Sequence, residues 1–195
     1  MKSNLGKEEL EKLKEIDEEL RKNLKESRYR HTVSVAHTAA CLAMVYNAPL
    51  YDTMLAGLLH DCAKHLSDEE LLKHCRKKNI SINSVEEKNP ALLHARYGAY
   101  LAENKYKVKD KDVLSAIEFH TTGRPGMTLL EKIIYIADFM EPYRNQAPNL
   151  SEIRKLAFKD LNEALKLTLK SVIEYLDSNK MPVDEITQKT YDYYR

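Results

Sequence analysis

The sequence predicts an all-α protein, a compact helical bundle. Apolar residues recur three and four positions apart in successive segments, which is the spacing of one helix face. Glycine and proline are few, 5 and 6 of 195 residues, and 43% of the residues are hydrophobic, a composition typical of helical globular proteins. No segment alternates apolar and polar residues as a half-buried strand does. The bounds of each helix can therefore be predicted in order along the chain.

The N-terminal half divides into four predicted helices. The first alternates charges with leucine and isoleucine and is amphipathic, whereas the second is apolar on most faces and should be central. Asn47 and Pro49 end the second helix, and a short buried helix follows. Ser67, followed by three acidic residues, is typical of an N-cap. We expect these helices at residues 7–27, 30–46, 52–60 and 68–79.

The C-terminal half begins with a loop-like stretch, ISINSVEEKNP, whose Pro90 can start the next helix. The TTGRPG segment predicts a turn with available backbone amides. Thr128 is a cap for LLEKIIYIADFM, in which the β-branched residues keep helical spacing. We expect helices at residues 91–106, 110–120 and 129–140, one long helix at 150–179, and a short tail at 184–195.

Charge and composition exclude several classes of function. Lys plus Arg number 31 against 30 for Asp plus Glu, so no field of one sign exists to attract nucleic acid or an anionic membrane. Neither a signal peptide nor an apolar run long enough to cross a membrane is present, and a cytoplasmic protein is expected. The three scattered cysteines lack a C-x-x-C pair, which favours reduced thiols.

Four of the seven histidines lie on predicted helices among apolar neighbours. A buried histidine usually has hydrogen-bond partners in the core, but four cases on four helices are hard to explain in this way. Asp61 in LLHDCAK and Asp138 in IIYIADF would also lose solvation on burial unless paired. A bound metal would satisfy all of them. The four histidines are His31, His60, His94 and His120.

Imidazole and carboxylate are ligands suited to iron, manganese, cobalt, nickel and zinc, and packed helices can each project one ligand inward. Adjacent residues of a helix point about 100° apart, so His60 and Asp61 reach one ion only near a helix end or side. Asp61 can instead bridge two ions. From the residues alone, both a mononuclear and a dinuclear centre remain open.

The motifs RYRHTVSVAHTA, LLHDCAK and IADF follow the order H…HD…D and resemble the HD-domain superfamily of metal-dependent phosphohydrolases. The stretches LLHARYGAYLA, AIEFHTTGRPGMTLLEKIIYIADFMEP and NLSEIRKLAFKDL are similar to the YqeK family, known as symmetrical bis(5′-nucleosyl)-tetraphosphatases. The resemblance covers residues 28–190. After Glu141-Pro142 this chain has YRNQAPN where family members carry a glycine-containing loop.

This resemblance implies one domain over residues 1–195, with an N-terminal helix at 1–27, a metal-binding core at 28–142 and C-terminal helices at 143–195. It implies one or two transition-metal ions, with iron favoured and manganese, cobalt or nickel as alternatives. The ions would activate water. The implied ligands are His31, His60, Asp61 and Asp138, with His94 and His120 for a second ion.

Cationic and hydroxyl side chains near these ligands are candidates for holding phosphate. Lys64 lies one helical turn after His60, and Arg124 lies in the turn after His120. Each has a simpler alternative as a solvated surface charge. The predicted catalytic residues are Asp61, Lys64 and Arg124, and the predicted substrate-binding residues are Arg28, Lys64, Thr121, Thr122, Arg124 and Arg144.

The resemblance implies symmetrical hydrolysis of diadenosine tetraphosphate to two ADP, so the expected partner is a small dinucleoside polyphosphate or nucleoside diphosphate. A homodimer is allowed alongside the monomer. Two alternatives remain: an HD phosphohydrolase acting on another nucleotide or a phosphodiester, and a non-catalytic nucleotide-binding module. A helical scaffold whose histidines satisfy one another is the simplest competing interpretation.

Overall fold

The computed structural model describes residues 5–195, and within that range the chain forms eleven α-helices and one 3₁₀ turn and no strand. The first four residues of the predicted segment 1–27 lie outside the described residues. The prediction of an all-α fold is confirmed. The helices are α1 (Lys7–Asn23), α2 (Glu26–Tyr46), α3 (Leu50–Leu59), α4 (Asp68–Lys77), α5 (Ser84–Lys88), α6 (Leu93–Asn104), α7 (Lys111–Glu118), α8 (Leu129–Met140), α9 (Leu150–Ala157), α10 (Leu161–Ser178) and α11 (Glu185–Tyr194), with the 3₁₀ turn at Pro90–Leu92.

Side-chain caps begin three of the helices at or within one residue of the predicted start. Ser67 starts α4 and Thr128 starts α8, each in a capping box whose third helical residue is a glutamate. Asp110 accepts hydrogen bonds from the first amides of α7. At the other end of α2, Asn47 takes a left-handed conformation with φ of 55°. Local chemistry thus determines most helix boundaries.

Three predictions about the less regular segments were wrong. The predicted loop at residues 80–90 contains α5, because Asn83 caps it through two backbone amides. The predicted long helix at 150–179 is two helices, since the side chain of Asp160 accepts from the amides of Asn162 and Glu163 and starts α10 anew. The predicted tail is α11, which Asp184 caps. In each case an Asn or Asp side chain competes with the preceding structure for backbone amides.

Close packing of α2 against α3 sets the position of the first ligands. A Cβ atom added at Gly57 would lie 2.7 Å from the Cα of Ala36, so only glycine permits this approach. The crossing brings the end of α3 beside the N-terminal part of α2. Helices α7 and α8 pack on the same unit, and their buried isoleucines continue the core. Among the described residues, the search for a helix long and apolar enough to cross a membrane finds none.

Candidate metal centre

The six residues predicted as metal ligands converge in the structure, although they lie on five segments of the chain. His31 is on α2, His60 and Asp61 directly follow α3, and Asp138 is near the end of α8. The remaining two are His94, in the first turn of α6, and His120, two residues after α7.

The side chains form two groups that share Asp61. One group, called the open group here, joins His31, His60 and the Oδ2 atom of Asp61, with Asp138 Oδ1 3.0 Å from His31 Nε2. The other, called the enclosed group, joins His94, His120 and the Oδ1 atom of Asp61. The potential ligand atoms of His31, His60 and Asp61 lie within 4.8 Å of one another, and so do those of Asp61, His94 and His120. Asp61 therefore has the geometry of a bridging carboxylate.

The hydrogen bonds of the four rings determine which nitrogen faces inward. The Nδ1 atoms of His60, His94 and His120 lie against the backbone carbonyls of residues 57, 91 and 117. A carbonyl oxygen can only accept a hydrogen bond, so Nδ1 must be the donor. The Nδ1 atom of His31 lies 3.2 Å from a carboxylate oxygen of Glu141. We therefore assign the proton of each neutral ring to Nδ1, so that Nε2 is the atom that faces inward with its lone pair.

These lone pairs face one another at short range. The Nε2 atoms of His94 and His120 are 3.1 Å apart, and those of His31 and His60 are 3.4 Å apart. The carboxylate oxygen Asp61 Oδ1 lies beside the Nε2 atoms of His94 and His120. Among the described residues it has no hydrogen-bond partner. Acceptors without a donor repel one another and are costly to bury. The same acceptors at this spacing fit metal ions, because two ligands about 2.1 Å from an ion are separated by roughly 3.0 to 3.4 Å.

The protonation states of the two free carboxylates and of His120 also suit metal binding. Burial would raise the pKa of Asp61, but the charge and hydrogen bonds that His60 and His94 supply when their rings carry a second proton outweigh it and hold that pKa well below its usual range. Burial also opposes ionisation of Asp138, yet contact with His31 lowers its pKa. Burial and the neighbouring imidazoles lower the pKa of His120 to about 3. These carboxylates stay ionised and His120 stays neutral at pH 7.

Solvent reaches the centre from one side. The side chains of His60, His94 and His120 are 4% exposed or less, whereas that of Asp138 is 20% exposed. Two arginines border this side. Arg28 is 2.7 Å from Asp61 Oδ2, and Arg144 donates to both the backbone oxygen and the Oδ1 atom of Asp138. Asp138 is therefore the most accessible of the six candidate ligands.

The other predicted substrate contacts are placed less directly. Lys64 is half-buried in the turn after Asp61, and burial lowers its pKa despite the nearby carboxylate. Arg124 donates through Nε to buried Glu131, lies over the Phe119 ring, and remains 34% exposed. The Thr122 hydroxyl donates to the Gly123 carbonyl. Thr121 and Thr122 line a small cleft with Arg96 and Asp184, and none of the six ligands is among the residues lining it.

Sequence reasoning missed two residues that support the centre. Glu141 is buried and orients His31, and a carboxylate in this position also raises the basicity of the ligand nitrogen. Arg154 donates to the carbonyls of Met140, Glu141 and Arg144 and so holds the segment that carries Glu141. A glutamate directly after the apolar helix that bears Asp138 was the available signal for Glu141; Arg154 looked like a surface residue of an amphipathic helix.

Comparison with known proteins agrees with this arrangement. Residues 28–142 match the HD domain family. A "Bis(5'-nucleosyl)-tetraphosphatase, symmetrical" of Bacillus subtilis (strain 168) is 41% identical over 174 residues, covering 89% of this chain and 92% of the relative. A protein of the same name from Staphylococcus aureus is 33% identical and covers 95% of this chain and 94% of its own length.

A solved structure is similar over nearly the whole fold. It is that of a "predicted HD superfamily hydrolase involved in NAD metabolism" from Clostridium acetobutylicum, with a TM-score of 0.88 and 40% sequence identity. The match covers 93% of this chain and 95% of the other.

Proposed function

The chain belongs to the HD-domain family, and from that premise we propose that it is a metal-dependent hydrolase that splits diadenosine tetraphosphate into two ADP. The observation that carries the proposal is the convergence of four Nε2 lone pairs on the shared carboxylate of Asp61. The names of the relatives supply the substrate class. Divalent transition ions held by the two groups would activate water and neutralise charge on phosphate oxygens.

The residues of the chain provide the remaining requirements of the reaction. In symmetrical hydrolysis the oxygen of water forms a bond to one central phosphorus, and the central P–O–P bridge breaks. One ADP carries the new oxygen and the other leaves with the bridging oxygen, so negative charge grows on the leaving group. Lys64, half-buried beside Asp61, is proposed to place its ammonium near that charge. Burial of the lysine strengthens such a contact.

Arginines are proposed to bind the outer phosphates. Arg28 and Arg144 border the exposed side of the open group, where a phosphate chain would enter. Arg124 uses its Nε atom to bind Glu131, which leaves its terminal nitrogens for a phosphate oxygen. Thr121 is proposed to donate from the same loop, and Thr122 to do so once its hydroxyl turns away from the Gly123 carbonyl. The proposal thus keeps Asp61, Lys64 and Arg124 as catalytic residues.

Product analysis tests the reaction directly. Metal-free protein is supplied with manganese, iron or cobalt in turn, incubated with diadenosine tetraphosphate, and the products are separated by anion exchange. ADP as the single product supports the proposal. AMP with ATP would reject symmetrical cleavage, and turnover only of deoxynucleotides or phosphodiesters would favour a different HD phosphohydrolase. Binding of the nucleotide without turnover would instead indicate a non-catalytic nucleotide-binding module.

The proposal extends to the native metal, the domain organisation, the location and the oligomeric state. Iron is proposed as the native ion, since nitrogen and oxygen donors accommodate it, and metal analysis of protein purified without oxygen checks it. We also propose a single domain over residues 1–195 and a cytoplasmic location, and leave a homodimer open beside the monomer. Limited proteolysis, cell fractionation and analytical ultracentrifugation test these three points in turn.

A further inference from the structure

Helix α11 packs on α10 and against the loop that joins His120 to α8. This loop, residues 121–128, is called the Arg124 loop here. Gly123 in the loop has a φ of 62°, and a Cβ atom added there would lie 2.8 Å from the Cγ2 atom of Thr190 on α11. Carbon atoms normally approach no closer than about 3.5 Å, so glycine at this position allows the loop and the helix to touch.

A second contact between loop and helix is a hydrogen bond. The backbone amide of Met127 donates to the hydroxyl oxygen of Tyr194, 2.6 Å away. Met127 is buried, so removal of the hydroxyl would take from a buried amide the partner that the structure gives it, which is costly. The ammonium of Lys132 on α8 lies 5.5 Å from the centre of the Tyr194 ring. Tyr194 is therefore fixed where the loop meets α8.

The hydrogen bond of Met127 lies next to the groups that orient Arg124. Thr128 follows Met127 and caps α8, and its amide donates to the Oε2 atom of Glu131, 2.6 Å away. The Oε1 atom of the same buried carboxylate accepts from the Nε atom of Arg124, also at 2.6 Å. Both oxygens of Glu131 are thus bound to the loop, and a displaced loop would change the orientation of the guanidinium.

Helix α11 is itself held at its opposite end. Asp184 caps the helix by accepting from the amide of Ile186, and its other oxygen accepts from the side-chain amide of Asn83, 2.7 Å away. Asp184 is buried, and so are Thr187 and Thr190 along the same helix. These contacts make α11 a fixed support for the loop.

From these contacts we infer that α11 positions Arg124: the Tyr194 hydroxyl and the Thr190 methyl group hold the loop, and the loop keeps the guanidinium in one orientation. The inference rests on the proposed function, in which Arg124 binds phosphate. Tyr194 is a positioning residue, since it acts through Met127 and Glu131 and not by contact with substrate. A guanidinium that is already oriented stabilises charge better than one that must be ordered during the reaction.

A double-mutant cycle tests the coupling, because residues that act through one contact give non-additive losses. We would measure kcat and KM for diadenosine tetraphosphate with manganese in the wild type, Tyr194→Phe, Arg124→Leu and the double variant. Tyr194→Phe should lower kcat about 10-fold, the effect of one lost hydrogen bond to a buried amide, and should have no further effect in Arg124→Leu. The matched control, Tyr193→Phe, alters an exposed tyrosine of the same helix and should retain the wild-type kcat.

Gly123→Ala disturbs the same contact while Tyr194 stays intact. Its methyl group would meet Thr190, displace the loop from α11 and lower kcat by a similar factor. Thr190→Ser removes the facing methyl group but keeps the hydroxyl that donates to the carbonyl of Ile186. Combined with Gly123→Ala, it should restore part of the lost rate. Backbone strain of alanine at this φ is not relieved by Thr190→Ser, so the rescue reports on the contact with α11.

Hydrogen exchange of the amides of residues 121–128 measures the state of the loop without catalysis. In the manganese-loaded protein, exchange followed by mass spectrometry should be about 10-fold faster in Tyr194→Phe and unchanged in Tyr193→Phe, while α2 exchanges as in the wild type.

Four results would overturn the inference. They are unchanged kcat or unchanged exchange in Tyr194→Phe, an equal effect of Tyr193→Phe, a full additional loss of kcat when Tyr194→Phe is added to Arg124→Leu, and no rescue of Gly123→Ala by Thr190→Ser. Failure of the proposed reaction is a separate outcome. If the wild type forms no ADP from diadenosine tetraphosphate but exchange responds as expected, the support of the loop by α11 stands and the proposed reaction fails.

Discussion

The open and enclosed groups use the same residue types but differ in their surroundings. In the enclosed group, His94 and His120 are nearly inaccessible, and their Nδ1 atoms bind backbone carbonyls. In the open group, His31 binds the carboxylate of Glu141, and Asp138 is reached by solvent and by Arg144. Backbone carbonyls therefore orient both rings of the enclosed group, whereas in the open group a backbone carbonyl orients His60 and the buried carboxylate of Glu141 orients His31.

This difference predicts separate roles for the two ions. An ion in the enclosed group would be held permanently, because its ligands are rigid and shielded from water. An ion in the open group would lie beside Asp138, the more accessible of the two carboxylates. Substitutions that affect the two groups unequally test whether the two ions have separate roles.

Removal of the shared ligand should have the largest effect. Asp61→Asn keeps the size of the side chain but removes the charge that both groups use. We expect loss of both ions and a fall in hydrolysis of about a thousand-fold or more, since bound ions contribute several kcal/mol to catalysis. Metal content by mass spectrometry and the rate of ADP release measure the two effects. Asp177→Asn, on the exposed surface of α10, is the control. Two ions retained in Asp61→Asn would refute a shared carboxylate.

Removal of one histidine should separate the groups. His120→Gln is expected to reduce the metal content from two ions to one and the rate by about 100-fold, because Asp61, His31 and His60 still hold the open ion. His31→Gln is the reciprocal variant and should leave the enclosed ion. Metal stoichiometry after dialysis distinguishes them. Complete loss of metal from His120→Gln would show that the groups act as one site.

The glutamate behind His31 should affect only the open group. Glu141→Gln removes the charge that orients His31, and loss of such a contact typically lowers metal affinity about 10- to 100-fold. We expect one tightly held ion and one weak ion, measured by competition with a chelator. Glu174→Gln, on the exposed side of α10, should retain both affinities. Equal weakening of both ions in Glu141→Gln would contradict a role confined to the open group.

The rim arginine should have the smallest effect. Arg144→Leu removes a cation that is already shared with Asp138, and a charge-assisted contact to phosphate predicts a rise in KM of about 10-fold with little change in kcat. Steady-state kinetics with diadenosine tetraphosphate measure the change, and Lys170→Leu is the matched loss of a surface cation. A fall in kcat with constant KM would instead assign Arg144 to the reaction step.

Much of the fold and the ligand set followed from local sequence. The spacing of Leu and Ile determined which segments are helical, and Ser67 and Thr128 marked helix starts, since these effects act within a few residues. The four histidines among apolar neighbours and the HD-type motifs predicted the candidate ligands, which the fold brings together. The break at Asp160 was missed because the apolar periodicity continues across it, and α5 was missed because its five residues are too few to show a periodicity. Only the folded chain shows that the side chains of Asn83 and Asp160 bind backbone amides.

Tertiary structure alone decided how the ligands are divided. Whether Asp61 serves one ion or two depends on distances between α2, α3, α6 and the end of α7, and spacing along the chain carries no information about them. The same holds for Glu141, for the engagement of Arg124 by Glu131, and for the contact of Tyr194 with Met127. The sequence alone determined which residues are costly to bury without a partner, because the desolvation free energy is a property of each side chain. Packing of the helices determined which of these residues became neighbours.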